Sequence, residues 1–551
     1  MKTKPLLILL TSLLIVFFLL GRELLPKGDP VAFSPLPAAS KTVLVPLDGR
    51  PPCTKFVSDL AAIASVEIIL PPKASLGNYN DPGSRELVYD WLSYNLASAD
   101  SAIVSADFLI HGGLVGSRLP LGTAEDEERF FAKLSSFKTE HLQKRFHVFS
   151  IIPRLLISDQ LIPDSWWQWH LMRWAELQDV QNTFGDPVSF AELRSFDDEI
   201  PEEIRRKYTA LYKNNRNFNH KLLDLASAKS IDTLIIGQDD GQPFGLPNLN
   251  RREALFYLEH NKLVSKYHTT RGADEIACLL LASDRNRIWN YRPKVYVEYS
   301  SPAMAEMVMP FMPCSVGETV NEKITLIGGQ IVKSSEAADF ALYVHCGSGE
   351  SPKLLEIYAE RLKQLVSGNI PVALTDLTAN YNISETLFPY LISNDTPLVR
   401  LAAFAGWNTV SNSVGTAVAQ ASIFTWQKKH LPMEELPKLH ALNLKFNLER
   451  FFDDWVYQKA LHHRLGNLLK IREIDPYTLG DSQEKTAHYI KREMSVYKNT
   501  LLGSNLRRHS FYSTDSRDFY LDSLEIDLFL PWERIFEVEL SAKPLFVVRR
   551  K

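Results

Sequence analysis

Apolar residues along this chain come in short continuous runs separated by amphipathic stretches. The first runs are Val43-Leu44-Val45, Val66 to Leu70, Phe108-Leu109-Ile110, Val148 to Ile152 and Leu234-Ile235-Ile236. Val295 to Tyr299, Phe340 to Val344, Val372 to Leu374 and Val399 to Phe404 continue the series. Strands that are apolar throughout, with helices between them, indicate a parallel sheet covered on both faces. Eight or nine such units predict an α/β fold over residues 41–430, a (β/α)8-like parallel barrel. The alternative is an open doubly wound α/β fold in two lobes, divided near residue 290. Periodicity alone does not choose between them. From about residue 431 the rhythm stops. Leu448 to Leu469 and Glu484 to Leu502 have helical spacing, and Phe519 to Val548 is rich in strand formers, so residues 431–551 are expected to form a helical and β-rich appendage.

The N-terminus follows a different pattern. Lys2 and Lys4 precede an apolar run from Leu6 to Leu20, and Arg22 and Glu23 end it. The run is shorter than the roughly 20 residues of a membrane span and fits a secretory signal. Residues 1–23 are therefore expected to be a signal peptide or signal anchor, with the basic start directing export. The protein is expected to be secreted or at the cell surface, touching the membrane through this segment if it is uncleaved. No Cys follows the run, which argues against a lipoprotein anchor. Residues 24–40, rich in Pro, Gly, Ser and Ala, are expected to be a linker.

Charge removes one class of function. Lys and Arg total 61 and Asp and Glu 65, so no basic surplus points to a nucleic-acid partner. The four cysteines, Cys53, Cys278, Cys314 and Cys346, form no C-x-x-C or zinc spacing. They are expected to be mostly buried thiols, with one bridge at most. No G-x-G-x-x-G fingerprint occurs, and no cofactor is expected.

The polar residues that could carry chemistry follow the apolar runs, where ligand sites of parallel sheets lie. The first run ends in Pro46-Leu47-Asp48-Gly49-Arg50, either a ligand-facing pair or an internal ion pair. The third leads into His111-Gly112-Gly113-Leu114-Val115-Gly116-Ser117-Arg118, where His111 is a candidate binding group. Arg154 follows the fourth. The run at Leu234 leads into Gly237-Gln238-Asp239-Asp240-Gly241. Two adjacent carboxylates repel, so in a low-dielectric mouth one tends to hold a proton while the other stays charged. Later runs add Asp376, then Trp407, Asn408 and Asn412 in Gly406 to Ser413. Asn donates and accepts, which suits sugar hydroxyls, and Trp407 can stack on a sugar face. Asn412 equally fits a helix cap. Arg271 to Glu275 reads as a helix start, with Asp274 and Glu275 answering the helix dipole.

Together, Val45 to Pro51, His111 to Arg118, Gly237 to Asn248, Gly272 to Glu275, Gly406 to Ala421 and Leu530 to Glu539 resemble a bacterial family known as the domain of unknown function DUF4127. That resemblance covers nearly the whole chain after the linker and implies no reaction. The Asp239-Asp240 pair also resembles, more distantly, the catalytic pair of substrate-assisted retaining β-N-acetylhexosaminidases of the O-GlcNAcase and hyaluronidase type. This likeness implies Asp240 as acid/base and Asp239 as the acid orienting an acetamido group. The expected function is an extracellular glycoside hydrolase acting on an amino-sugar glycan. Its binding residues are Asp48, Arg50, His111, Arg154, Gln238, Asp376, Trp407, Asn408 and Asn412, with no metal. The alternatives are a metal-dependent hydrolase built on Asp48, His111, Asp239, Asp240 and Asp376, or a non-catalytic envelope protein that binds glycan or polypeptide.

Overall fold

A computed structural model describes residues 28–551 except 80 and 120. The expected signal segment lies outside the described residues. Among them, no helix is long and apolar enough to cross a membrane. Strand β1 (Asp29–Val31) precedes a parallel sheet of β2 (Ser40–Val45), β3 (Val66–Ile69), β4 (Ser101–Ser105), β5 (Arg145–Ile152), β6 (Thr233–Gln238) and β7 (Tyr267–Arg271). A second parallel sheet holds β8 (Lys294–Tyr299), β9 (Gln330–Val332), β10 (Phe340–Gly347), β11 (Val372–Thr378) and β12 (Ala403–Ala405). The spatial orders are β3-β2-β4-β5-β6-β7 and β9-β8-β10-β11-β12. Each sheet therefore starts in its interior, steps outward once, then reverses and grows the other way. That is the doubly wound order 2-1-3-4-5, carried one strand further in the first sheet.

Among the described residues the strands build two separate parallel sheets and no closed barrel, and their division between β7 and β8 is compatible with the two-lobe reading. The helix Val410–His430 explains the separation. It is buried on every side over Val410 to Thr425, with the Gln420 amide donating to Asn443 and Asn447, and a helix with no solvent-facing stripe must be covered all round. It packs against β11 and β12 of the second sheet and against the helices Ile276–Ile288, Val316–Leu326 and Lys55–Ile63. One hydrophobic cluster consequently runs from Leu44, Phe149 and Ile235 through these helices to Leu342 and Val344. Polar contacts fasten the lobes as well. Lys323, fully buried on Val316–Leu326, lies 2.7 Å from Glu275 and donates to Thr270 Oγ1 at 2.6 Å. Gly415 lets Val410–His430 approach closely: a Cβ there would come within 2.4 Å of Glu275 Cγ.

Residues 431–551 hold the helix Leu436–Arg450, a π-helical stretch Phe451–Leu461, and the helices His462–Ile471 and Gln483–Leu501. An antiparallel sheet of β13 (Ser510–Ser513), β14 (Arg517–Phe529) and β15 (Glu539–Arg550) completes them. This region shares a core with the second sheet, Tyr343 and Leu374 packing with Phe451, Trp455 and Leu540. Three expectations need correction. Phe108 to Ile110 is helix (Ala106–His111) and the strand is the preceding Ser101–Ser105, because a three-residue apolar run buried on all sides looks alike in either element. Val399 to Phe404 shortens to β12 after a turn at Leu398–Arg400. The expected linker contributes β1, which pairs antiparallel with β15 through Pro30 and Val547. All four cysteines are free and buried.

Candidate functional site

The C-terminal ends of β2, β5 and β6 deliver charged side chains to one place. Past β2 the chain turns at Asp48-Gly49-Arg50. Arg50 is sandwiched between two carboxylates, with Nη2 2.7 Å from Asp48 Oδ2 and 2.6 Å from Asp274 Oδ1. All three are buried. Asp274 ends the β7 connection just before the helix Ile276–Ile288. Burial pushes its carboxyl up to about 7, with Arg50 opposing and Asp48 adding to the shift. The indole of Trp532 covers Arg50 at 5.5 Å.

Past β6, Asp239 and Asp240 take contrasting environments. Arg118 donates to Asp239 Oδ2 through Nε (2.9 Å) and Nη2 (2.6 Å), and the Asp240 N–H donates to Asp239 Oδ1 at 2.9 Å. Burial opposes ionisation of Asp239, but the charges of Arg118 and Arg154 and these hydrogen bonds prevail and hold it below the usual carboxylate range. Asp240 is half-buried, with Arg154 Nη1 3.7 Å away. Burial and then the charge of Asp239 push it up to about 6. Arg50 and Asp274 belong to the same electrostatic cluster, because Arg50 opposes the Asp240 shift and Asp239 adds to that of Asp274.

The walls come from further away. Between β4 and the Arg118 segment, Gly112 and Gly113 adopt φ of 77° and 133°. The Gly113 backbone passes so close that a Cβ would lie 3.3 Å from Leu47 O and 3.5 Å from Asp48 Cβ. A cavity of about 150 Å³ opens here, lined by Asp48, Tyr79, Gly113, Leu114 and Trp532. It sits where the strand order reverses between β2 and β4, the position at which open α/β sheets bind ligands. Between β14 and β15 a loop inserts Trp532, Arg534, Phe536 and Glu537. Arg534 stacks 4.1 Å from the Tyr79 ring and 4.6 Å from Trp532, and donates to Glu537. From the second lobe comes Tyr381, which the charge of Asp240 reaches.

Of the residues expected at the site, Asp48, Arg50, Arg154, Asp239 and Asp240 are brought together. Gln238 is buried behind them and donates to Asn248, whose Nδ2 donates to Gln242 O at 2.7 Å, so it braces the Asp239-Asp240 loop. His111 is not part of the cluster. It ends a helix, its Nδ1 accepts the Gly122 N–H at 3.0 Å, and burial pushes it down to about 4. Asp376 accepts the Leu387 and Phe388 N–H groups at 3.0 and 3.1 Å, opening the helix Phe388–Ser393. Trp407 is buried edge-on to Phe536 at 6.3 Å, not presented as an open stacking platform. Asn408 holds φ of 56°. The helix that follows is capped by Thr409, which accepts from the Asn412 N–H, so Asn412 lies within its first turn and is not its cap. The five residues of the metal alternative therefore do not converge. Among the described residues no group of three or more His, Cys, Asp or Glu is disposed to hold a metal ion.

Arg118, Asp274, Trp532, Arg534, Glu537 and Tyr381 were not anticipated as site residues. Asp274 and Glu275 do far more than answer a helix dipole, each holding a buried cation. Arg118 and Trp532 lay inside segments already notable for composition, but only the fold shows that they reach Asp239 and Arg50.

No curated protein matches the chain, and nothing in the comparisons supports the hexosaminidase likeness. A family model matches residues 42–541, from β2 into β15, and so takes in every residue of the cluster. The chain belongs to the family of proteins of unknown function DUF4127.

Proposed function

We propose that the cluster is the active site of a hydrolase that cleaves glycosidic bonds, with Asp240 as general acid/base. The observation that carries this reading is the divergence of two adjacent carboxylates, one held ionised by Arg118 and the other raised to about 6. Such pairs supply an acid and a fixed charge together. Asp240, half-exposed, gives its proton to the leaving oxygen, and water supplies the hydroxyl that completes hydrolysis. Asp239 has its oxygens engaged by Arg118 and by the Asp240 N–H. Its role is to hold charge beside Asp240 and raise the affinity of that group for a proton, in place of the contact with an acetamido group that the hexosaminidase likeness implies. Arg154 and the rim residues Tyr79, Trp532 and Tyr381 receive the sugar. The cavity of about 150 Å³ at Asp48 is below the 300–1,000 Å³ usual for ligand pockets, so it takes one small polar substituent.

A panel of chromogenic glycosides, run with and without chelator, tests the reading. Turnover that survives chelation and disappears in Asp240→Asn supports it. Turnover that needs a divalent ion returns the metal alternative, and full activity in Asp240→Asn rejects Asp240 as the acid. The apolar run at Leu6 to Leu20 supports export as a companion proposal, and recovery of the protein in the cytoplasmic fraction with Met1 intact would reject it.

A further inference from the structure

Against Tyr381 stands a buried lysine that the proposed reaction leaves unused. Lys459 lies on the π-helical stretch Phe451–Leu461 and is only 6% exposed. Its Nζ stands 4.6 Å over the ring of Tyr381. Among the described residues it has no hydrogen-bond or ion-pair partner. Three carboxylates lie near enough to influence it, Asp376, Asp454 and Glu385, yet each is engaged elsewhere. Asp376 accepts two backbone N–H groups. Asp454 takes Arg450 Nη1 at 2.6 Å and the Gly406 N–H at 2.8 Å. Glu385 accepts from the Asn380 backbone and side chain. The neighbouring His462 is pushed down to about 4 by burial and is neutral at pH 7. Burying an ammonium without an acceptor is costly. Tyr381 lies between the lysine and the proposed acid in the electrostatic sense, because it carries the ammonium over its ring and the Asp240 charge acts on its phenol. Its φ of 54° is unusual for an aromatic residue, and such strain gathers at ligand sites.

We propose that Lys459 and Tyr381 form a subsite for a carboxylate of the substrate, which is then an acidic saccharide. The saccharide part rests on the glycosidase reading above. Asp376, Asp454 and Glu385 supply charge at a distance, and a substrate carboxylate would add what they do not, an acceptor in direct contact with the ammonium N–H groups. A neutral hydroxyl accepts there without bringing a charge.

Calorimetry with glucuronate and N-acetylmuramate, against glucose and N-acetylglucosamine, is the test. The acids should bind at least tenfold more tightly than the neutral sugars. Lys459→Met should erase that preference, Lys459→Arg should keep part of it, and Asp240→Asn should leave it intact. On the unmutated protein, the acids should shield Lys459 from reductive methylation, read by peptide mapping, while neutral sugars should not. Equal binding of acids and neutral sugars, no binding of either acid, a preference that survives Lys459→Met, or absence of shielding overturns the proposal. If acids bind through Lys459 but no glycoside is cleaved, the subsite stands and the hydrolase reading falls. Cleavage without any acid preference gives the reverse.

Discussion

Replacing Arg50 by Met removes the cation shared by two buried carboxylates and keeps much of the side-chain length. Its Nη2 lies 2.7 and 2.6 Å from Asp48 and Asp274, and all three side chains are 5 or 6% exposed. Deleting one partner of a buried ion pair costs about 3–5 kcal/mol because the other charge is left uncompensated. With an unfolding entropy of about 2.1 cal/mol/K per residue over 551 residues, that lowers the melting temperature by about 3–4 °C. The loss should depend on pH with a definite sign. Asp274 is already raised to about 7 in the folded protein, and losing Arg50 raises it further. A carboxyl raised on folding binds a proton that the unfolded chain does not, so its contribution to stability declines as pH rises towards the folded value. The variant extends that decline upwards. The gap to wild type should therefore be smallest at pH 5.5 and widest at pH 8.5, growing by at most about 1.4 kcal/mol per pH unit. Thermal and urea unfolding followed by tryptophan emission at pH 5.5, 7 and 8.5 measures it, with Trp532 as a reporter beside the cluster. A gap that stays constant across this range, or below about 1 kcal/mol throughout, would refute the view that Arg50 compensates buried charge.

On any substrate found, Asp240→Asn should lower kcat by about 10²–10⁴-fold, and wild-type activity should fall as pH rises through about 6, where Asp240 loses its proton. Arg154→Met removes a cation that favours the ionised form and should move that falling limb to higher pH. Asp239→Asn removes the neighbouring negative charge and should move it lower, so shifts in the same direction would contradict the electrostatic assignment. Gly113→Ala meets both a positive φ and the close backbone at Leu47, costing about 1–3 kcal/mol in unfolding experiments; an unchanged melting temperature would show that the turn is relaxed. Gly415→Ala should force Val410–His430 away from Glu275 and cost about 1–3 kcal/mol by overpacking, checked by the same unfolding measurements.

Strands β2, β5 and β6 of the first sheet were legible because they are buried on both faces over most of their length and so read as apolar runs. The acids and bases at Asp48, Arg50, Arg154, Asp239 and Asp240 were legible for the same reason, since a charge directly after such a run has few places to go except a ligand edge. Strand β4 was hidden because Ser101 and Ser105 dilute it and the helix after it is more apolar than the strand. The choice between barrel and two lobes depends on which strands become edges, and that follows from where Val410–His430 is accommodated. Its small residues give no local sign of their partners. Trp532 and Lys459 come from segments hundreds of residues away in sequence from Arg50 and Asp240, so no spacing rule could associate them.

Two lobes around a cleft suggest a clamshell, but the Glu275–Lys323 contact argues for a fixed jaw. Swinging the second lobe outward would draw a fully buried ammonium off its carboxylate and strip cover from a helix buried on every side from Val410 to Thr425. Both penalties fall on the opening motion itself, so the cleft is held at one aperture whether empty or filled. Traffic in and out then depends on short excursions of the rim, the turn bearing Trp532 and the one bearing Tyr381. Small-angle scattering should accordingly give the same radius of gyration with and without ligand, while hydrogen exchange should slow on binding only at those two turns.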